Sequence, residues 1–130
     1  MKLLETALAA LALAAASLAA PVQAQNFPTK PIRIIVGFGP GGVADVTARI
    51  VAEKLSGQLG QQVLIENRPS AGGIVAAQEV AKADPDGHTL LLMSNGNAVS
   101  ASLFKSLPYD TMTDFAPVST LGFFDIAVVV

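Results

Sequence analysis

Three glycines, Gly37, Gly39 and Gly42, stand in the spacing G-x-G-x-x-G within the stretch RIIVGFGPGGVADVTARI. A β-branched apolar run precedes them and a helix-like pattern follows. Glycines between a strand and a helix let an anion approach the backbone, where the first N–H groups of the helix have no intrahelical partner. A pyrophosphate and a carboxylate both fit that arrangement. Glu66 closes the next apolar run about 24 residues beyond Gly42, near where a dinucleotide-binding unit carries the acid that holds a ribose. Pro40 weighs against the nucleotide. It occupies an internal position of the spacing and has no N–H to offer a phosphate. These residues leave two readings open: a cradle for a carboxylate, and the alternative of an exported dinucleotide-binding oxidoreductase domain.

Other residue types that do chemistry are sparse. The chain has no cysteine, which excludes disulfides, thiolate metal sites and cysteine nucleophiles. Its one histidine, His88, lies between a turn and an apolar run, without a second histidine or a nearby serine, so a catalytic role is not expected. Asp84-Pro85-Asp86-Gly87 reads as a turn, because it lacks the remaining ligands of a calcium loop. Glu66 and Arg68 are expected to pair with each other or to face solvent. No metal site and no cofactor are expected. Eight basic and ten acidic residues give a net charge of −2 with no basic block, which argues against nucleic acid as a partner.

The first 25 residues, MKLLETALAALALAAASLAAPVQAQ, carry Lys2, an apolar run from Ala7 to Ala20 and the small-x-small site Val22-Gln23-Ala24. This pattern predicts a secretory signal peptide over residues 1–24, cleaved after Ala24 to leave Gln25 as the mature N-terminus. The apolar run is shorter than the roughly 20 residues of a membrane span. Export separates the protein from the compartments where dinucleotide cofactors are regenerated.

The elements that must position the glycine loop follow from periodicity. Ile32 to Phe38 is expected to form a buried strand. A helix is expected from near Asp45 to about Leu59. Val46, Ile50, Val51, Leu55 and Leu59 would form its buried stripe, with Thr47, Arg49, Glu53, Lys54 and Gln58 facing away. Asp45 is placed for a cap or a first-turn carboxylate, or for a ligand contact, and Gly60 for a helix stop. A second strand, Val63 to Glu66, leads into the turn-rich NRPSAGG. A second helix is expected from Gly73 to about Ala83, apolar on Ile74, Ala77 and Val80. Thr89 to Met93 is apolar enough for a strand covered on both faces. After SNGNAVS, a helix is expected over Ala98 to Lys105, an irregular stretch over Leu107 to Pro117, and strands at Val118–Leu121 and Ile126–Val130. The alternation predicts an α/β parallel sheet with right-handed crossovers. Ligands bind such sheets beyond the carboxyl ends of the strands, here the loops Gly39–Ala44, Arg68–Gly72 and Ser94–Asn97. The chain stops on the apolar DIAVVV, which reads as a domain interrupted in mid-strand.

Taken in order, PIRIIV, the PGG…D…AR loop and helix, ENRPSAGG, DPDGHTLLL and LPYDTMTDFAPV resemble the substrate-binding proteins of the tripartite tricarboxylate transporter, the Bug receptor family. The resemblance covers about Phe27 to Val130. It implies the first lobe of a two-lobed periplasmic binding protein fold, a parallel-sheet α/β sandwich over residues 25–130, truncated near the crossing to the second lobe. It implies a periplasmic receptor and not an enzyme. Such a receptor captures a small carboxylate between two lobes and delivers it to membrane transporter subunits. Neither nucleic acid nor dinucleotide would be a partner. A di- or tricarboxylate, an aromatic acid, an amino acid or an amide all remain open as ligand. The candidate ligand-binding residues are Phe38, Gly39, Gly41, Gly42, Val43, Ala44 and Asp45 in the first loop, with the backbone N–H groups of Gly41 to Ala44 as donors. Ser70, Ala71 and Gly72 stand in the second loop, and Ser94, Asn95 and Gly96 in the third.

Overall fold

Strand β1, Ile32–Val36, is the middle of a three-stranded parallel sheet of order β2-β1-β3, and four of its five residues are buried. A central strand carries a ladder on each side and is covered above and below, which is why it reads as an almost unbroken apolar run. Ile34 stands opposite Ile65 of β2, Val63–Asn67, and opposite Leu90 of β3, Thr89–Leu92. The computed structural model describes residues 27–123. The expected leader over 1–24 and the expected strand at Ile126–Val130 lie outside the described residues.

Alternation along β1 sends its side chains to two separate layers. Ile32, Ile34 and Val36 meet Val63 and the alanines Ala48 and Ala52 of helix α1, Val43–Leu59. On the other face lies Ile35, fully buried, on the side covered by helix α2, Ile74–Ala81, whose Ala76 and Ala77 are also fully buried.

The inward face of α1 differs from the expected one. It runs through Asp45, Ala48 and Ala52, with Leu55 and Leu59 partly buried against the same core. Val46 and Ile50 are exposed, at 46% and 59%. Small side chains let the helix axis approach the sheet closely, so the alanine row wins the inner position over the larger β-branched row. Arg49, Glu53, Lys54 and Gln58 face outward as expected. The helix stops at Gly60, in the left-handed region with φ 65°, whose N–H reaches Ser56 O at 3.1 Å.

Several boundaries move for identifiable reasons. β1 ends at Val36 rather than Phe38, because the chain turns at Gly37. β3 is half-buried throughout: Leu90 and Leu92 pack on the α1 side of the sheet and α2 lies over the other side, but among the described residues only β1 pairs along its edge. Helix α3 occupies Asn95–Leu103 instead of Ala98–Lys105, because a cap at Ser94 fixes an earlier start. A 3-10 turn at Ala71–Gly73 leads into α2. Val118–Leu121 forms no strand: it pairs with no strand among the described residues, and Val118 is exposed.

Candidate functional site

The three strand-end loops meet through bare backbone. A methyl group added at Gly37 would stand 2.8 Å from the Cα of Gly73, so the exit of β1 and the start of α2 touch with no room for a side chain. Gly72 has φ 63°, and a Cβ there would run into the Ser100 hydroxyl of α3. A methyl group on Gly96 would lie 3.7 Å from the Cα of Gly72. The loops after β1, β2 and β3 therefore form one continuous surface at the carboxyl edge of the sheet.

The first loop is held from beneath. Asp45, only 3% exposed, accepts the Gly41 N–H at 2.9 Å, Arg49 Nε at 3.0 Å and Asn67 Nδ2 at 3.0 Å. Asn67 Nδ2 also donates to Phe38 O at 3.0 Å, and Arg49 Nη2 donates to Asn67 Oδ1 at 3.1 Å. Arg49 first, then Gly41 and Asn67, hold the Asp45 carboxyl well below the usual carboxylate range. Asp45 is the expected first-turn carboxylate of α1 and not its N-cap. Gly42 is the N-cap and receives no side-chain cap bond. The carboxylate also turns inward and is engaged within the protein. Gly41 changes role with it, because its N–H points at Asp45 rather than outward. The amides left ahead of the first helical bond, Val46 N–H to Gly42 O at 2.9 Å, are those of Val43, Ala44 and Asp45.

The remaining candidates divide in a similar way. Phe38, Gly42 and Val43 are exposed, whereas Gly39 and Ala44 are half-buried. In the second loop Ser70 Oγ accepts the Val75 N–H at 3.1 Å, and Ser70 O accepts the Gly73 N–H at 3.1 Å. Ala71 is exposed beside the half-buried Gly72. In the third loop Ser94 Oγ accepts the Gly96 N–H at 3.2 Å, while Asn97 Oδ1 accepts the Ser94 N–H at 3.0 Å. This is a reciprocal cap on α3. The Ser94 hydroxyl and the Gly96 amide thus serve the helix start, and Asn95 stands exposed beside them.

Three residues that shape the site were not singled out from the sequence. Arg49 and Asn67 brace Asp45. Asn97, 2% exposed, locks the third loop, and its Nδ2 beside Gly73 has no hydrogen-bond partner among the described residues. The S-x-x-N spacing of Ser94 and Asn97 was the available signal, weakened because the usual third residue of such a cap is Glu or Gln.

Glu66 lies in a closed ring of four alternating charges. Arg33 grips it with Nε–Oε1 at 2.6 Å and Nη2–Oε2 at 2.9 Å, and Arg68 Nη2 meets Oε2 at 2.8 Å. Glu79 closes the ring, at 2.8 Å from Arg33 Nη2 and 3.0 Å from Arg68 Nε. The expected pairing of Glu66 with Arg68 is present, and Arg33, ahead of Arg68, holds the Glu66 carboxyl below its ordinary value. His88 is structural as well. It is buried, its Nε2 accepts the Thr29 N–H at 3.3 Å, and its ring centroid lies 4.8 Å from that of Phe27. No helix among the described residues is long and apolar enough to cross a membrane.

The model of the family described as the tripartite tricarboxylate transporter family receptor matches residues 47–130. A UPF0065 protein of Bordetella pertussis is 51% identical over 105 residues, covering 78% of this chain and 32% of that protein. Among solved structures, the periplasmic binding protein BugD is similar at 40% identity and a TM-score of 0.66, covering 70% of this chain and 30% of that one. MatC from Rhodopseudomonas palustris with bound malate is similar at 40% identity and a TM-score of 0.66, covering 73% and 33%. The chain spans about a third of the length of the curated relatives it matches. The α/β topology, the ordered strand-end loops and these likenesses converge: the chain belongs to the receptor family of the tripartite tricarboxylate transporter.

Proposed function

We propose that residues 25–130 form the first lobe of a two-lobed exported receptor that holds a small carboxylate against the strand-end loops. The receptor then passes its ligand to the membrane subunits of a tripartite tricarboxylate-type transporter. The observation that carries this reading is that the main-chain amides of Val43, Ala44 and Asp45 have no hydrogen-bond partner among the described residues. They head a 17-residue helix whose entry turn is fixed from below by a buried carboxylate. Unpartnered N–H groups and the positive end of the helix dipole favour an anion there. The malate held by MatC supports a carboxylate as that anion.

In this reading Phe38, Gly39, Gly42, Val43 and Ala44 border the ligand, and Ser70–Gly72 and Ser94–Gly96 form the adjoining rim. Asp45 and Gly41 act as frame. The protein binds and releases without turning its ligand over. Pro40 and the engagement of Glu66 by two arginines weigh against a dinucleotide, since neither the full amide cradle nor a free ribose-binding acid remains. The leader places the receptor in the periplasm with Gln25 as its first residue.

Calorimetric titration of the complete, leader-free receptor with small carboxylates and with NADH tests the function. Micromolar affinity for a carboxylate with none for NADH is the expected result. The reverse would overturn the receptor reading. N-terminal sequencing of the exported protein tests the leader: Gln25 is expected, and an intact Met1 in the membrane fraction would refute cleavage.

A further inference from the structure

We infer that the receptor prefers carboxylates whose carbon next to the bound carboxylate bears no hydroxyl group, and that Val43 sets this preference. The inference rests on the carboxylate-receptor reading and narrows its ligand class. Val43 is the first residue of α1 and is 72% exposed. The Cα–Cβ bond of a helical residue tilts toward the N-terminus, so its isopropyl group stands at the rim of the open amides. Phe38, 39% exposed, flanks the other side of the glycine turn. No side chain of this loop offers a polar group outward. The residues between Phe38 and Val43 are glycines and proline, Ala44 is apolar, and the Asp45 carboxylate is turned inward.

A ligand carboxylate is met here by main-chain donors, while the atoms beside it are met by hydrocarbon. A methylene next to the carboxylate suits that wall. A hydroxyl in its place leaves water and finds no partner from this loop, which disfavours 2-hydroxy acids. Val46 and Ile50 continue the exposed row down the same helix face. They lie one and two turns away from the amides. An apolar row that only packs against another surface would respond to substitution at Val46 as at Val43. A row that reads ligand would respond at Val43 alone.

The test is calorimetry on the complete, leader-free receptor with two matched pairs, succinate against tartrate and phenylacetate against mandelate, whose members differ only by hydroxyl groups on the carbons next to their carboxylates. In whichever pair binds, the hydroxyl-free acid should bind at least about tenfold more tightly. Val43→Thr, which keeps the shape and adds a hydroxyl, should narrow that ratio severalfold, while Val46→Thr leaves it unchanged. Equal or tighter binding of the 2-hydroxy acid overturns the inference and leaves the receptor reading standing. So does a ratio that moves equally in both variants or in neither. Failure of all four acids to bind overturns this inference, while micromolar binding of another carboxylate in the wider titration keeps the receptor reading.

Discussion

Asp45 Oδ2 accepts the Gly41 N–H at 2.9 Å, so a carboxylate inside helix α1 holds the turn that leads into the helix. Every bond it accepts comes from a donor: Gly41, Arg49 and Asn67. Asp45→Asn places an amide NH2 among those donors. We expect its thermal midpoint to fall by several degrees and carboxylate affinity to fall with it. Arg49→Ala should do less, because Arg49 is half-exposed and the other two donors remain. Scanning calorimetry and ligand titration on both variants check this. A normal midpoint with abolished binding in Asp45→Asn would instead make Asp45 a ligand contact.

Gly72 and Gly39 should separate a glycine the fold requires from one it does not. Gly72 is left-handed and abuts Ser100, whereas a methyl group on Gly39 meets nothing within 4 Å. Gly72→Ala is expected to destabilise by more than about 2 kcal/mol, the strain of the backbone conformation plus the clash. Gly39→Ala is expected to stay within about 0.5 kcal/mol of wild type. Urea midpoints measure both, and equal shifts would contradict the close seam between the second loop and α3.

Acid should loosen the segment before β1. Lys30 Nζ lies 2.7 Å from Asp86 Oδ2. The Lys30 hydrogen bond, helped by the His88 N–H, brings the Asp86 carboxyl down from 3.8 to about 2. Because the folded value is the lower one, the stabilisation is present above about pH 4 and is lost as pH falls toward 2. Lys30 is raised above its ordinary 10.5, so its share is present below that value and lost as pH rises beyond it. Hydrogen exchange at the His88 amide, which donates to Asp86 Oδ1 at 2.9 Å, should therefore accelerate below pH 4 after correction for intrinsic rates. The same steep acceleration in Asp86→Asn would rule out Asp86 as its source.

The charge ring should respond to salt as a unit. Its members are between a quarter and two fifths exposed, so each contact is partly screened by water. Glu79→Gln is expected to cost no more than about 1 kcal/mol. In a double-mutant cycle with Glu66→Gln the two effects should be non-additive, since both carboxylates share Arg33 and Arg68. The coupling should shrink in 1 M salt, where the Debye length is about 3 Å. Full additivity at low salt would show that the four residues act as separate pairs.

The central strand is legible in the sequence because burial on both faces leaves a run such as Ile32 to Val36 with little room for polarity. Gly60 and the Asp84–Gly87 turn are legible because their conformations demand particular residues. The inward face of α1 is not, because periodicity follows the largest side chains, while close packing on the sheet selects Ala48 and Ala52. Asp45 is recognisable as important but not in direction, since its partner Asn67 arrives from another strand. Glu79 stands 46 residues from Arg33 and closes the charge ring only after α2 has crossed the sheet. The site shows the same division. Its glycine loops are written in local sequence, whereas the bracing that aims them is non-local.

The open amides at the head of α1 belong to the main chain, so their chemistry survives whatever side chain occupies position 43. Val43 itself is 72% exposed and lies outside the packed interior. If those amides hold the ligand as proposed, exchange of one outward side chain would change which ligand is preferred and leave the main-chain donors intact.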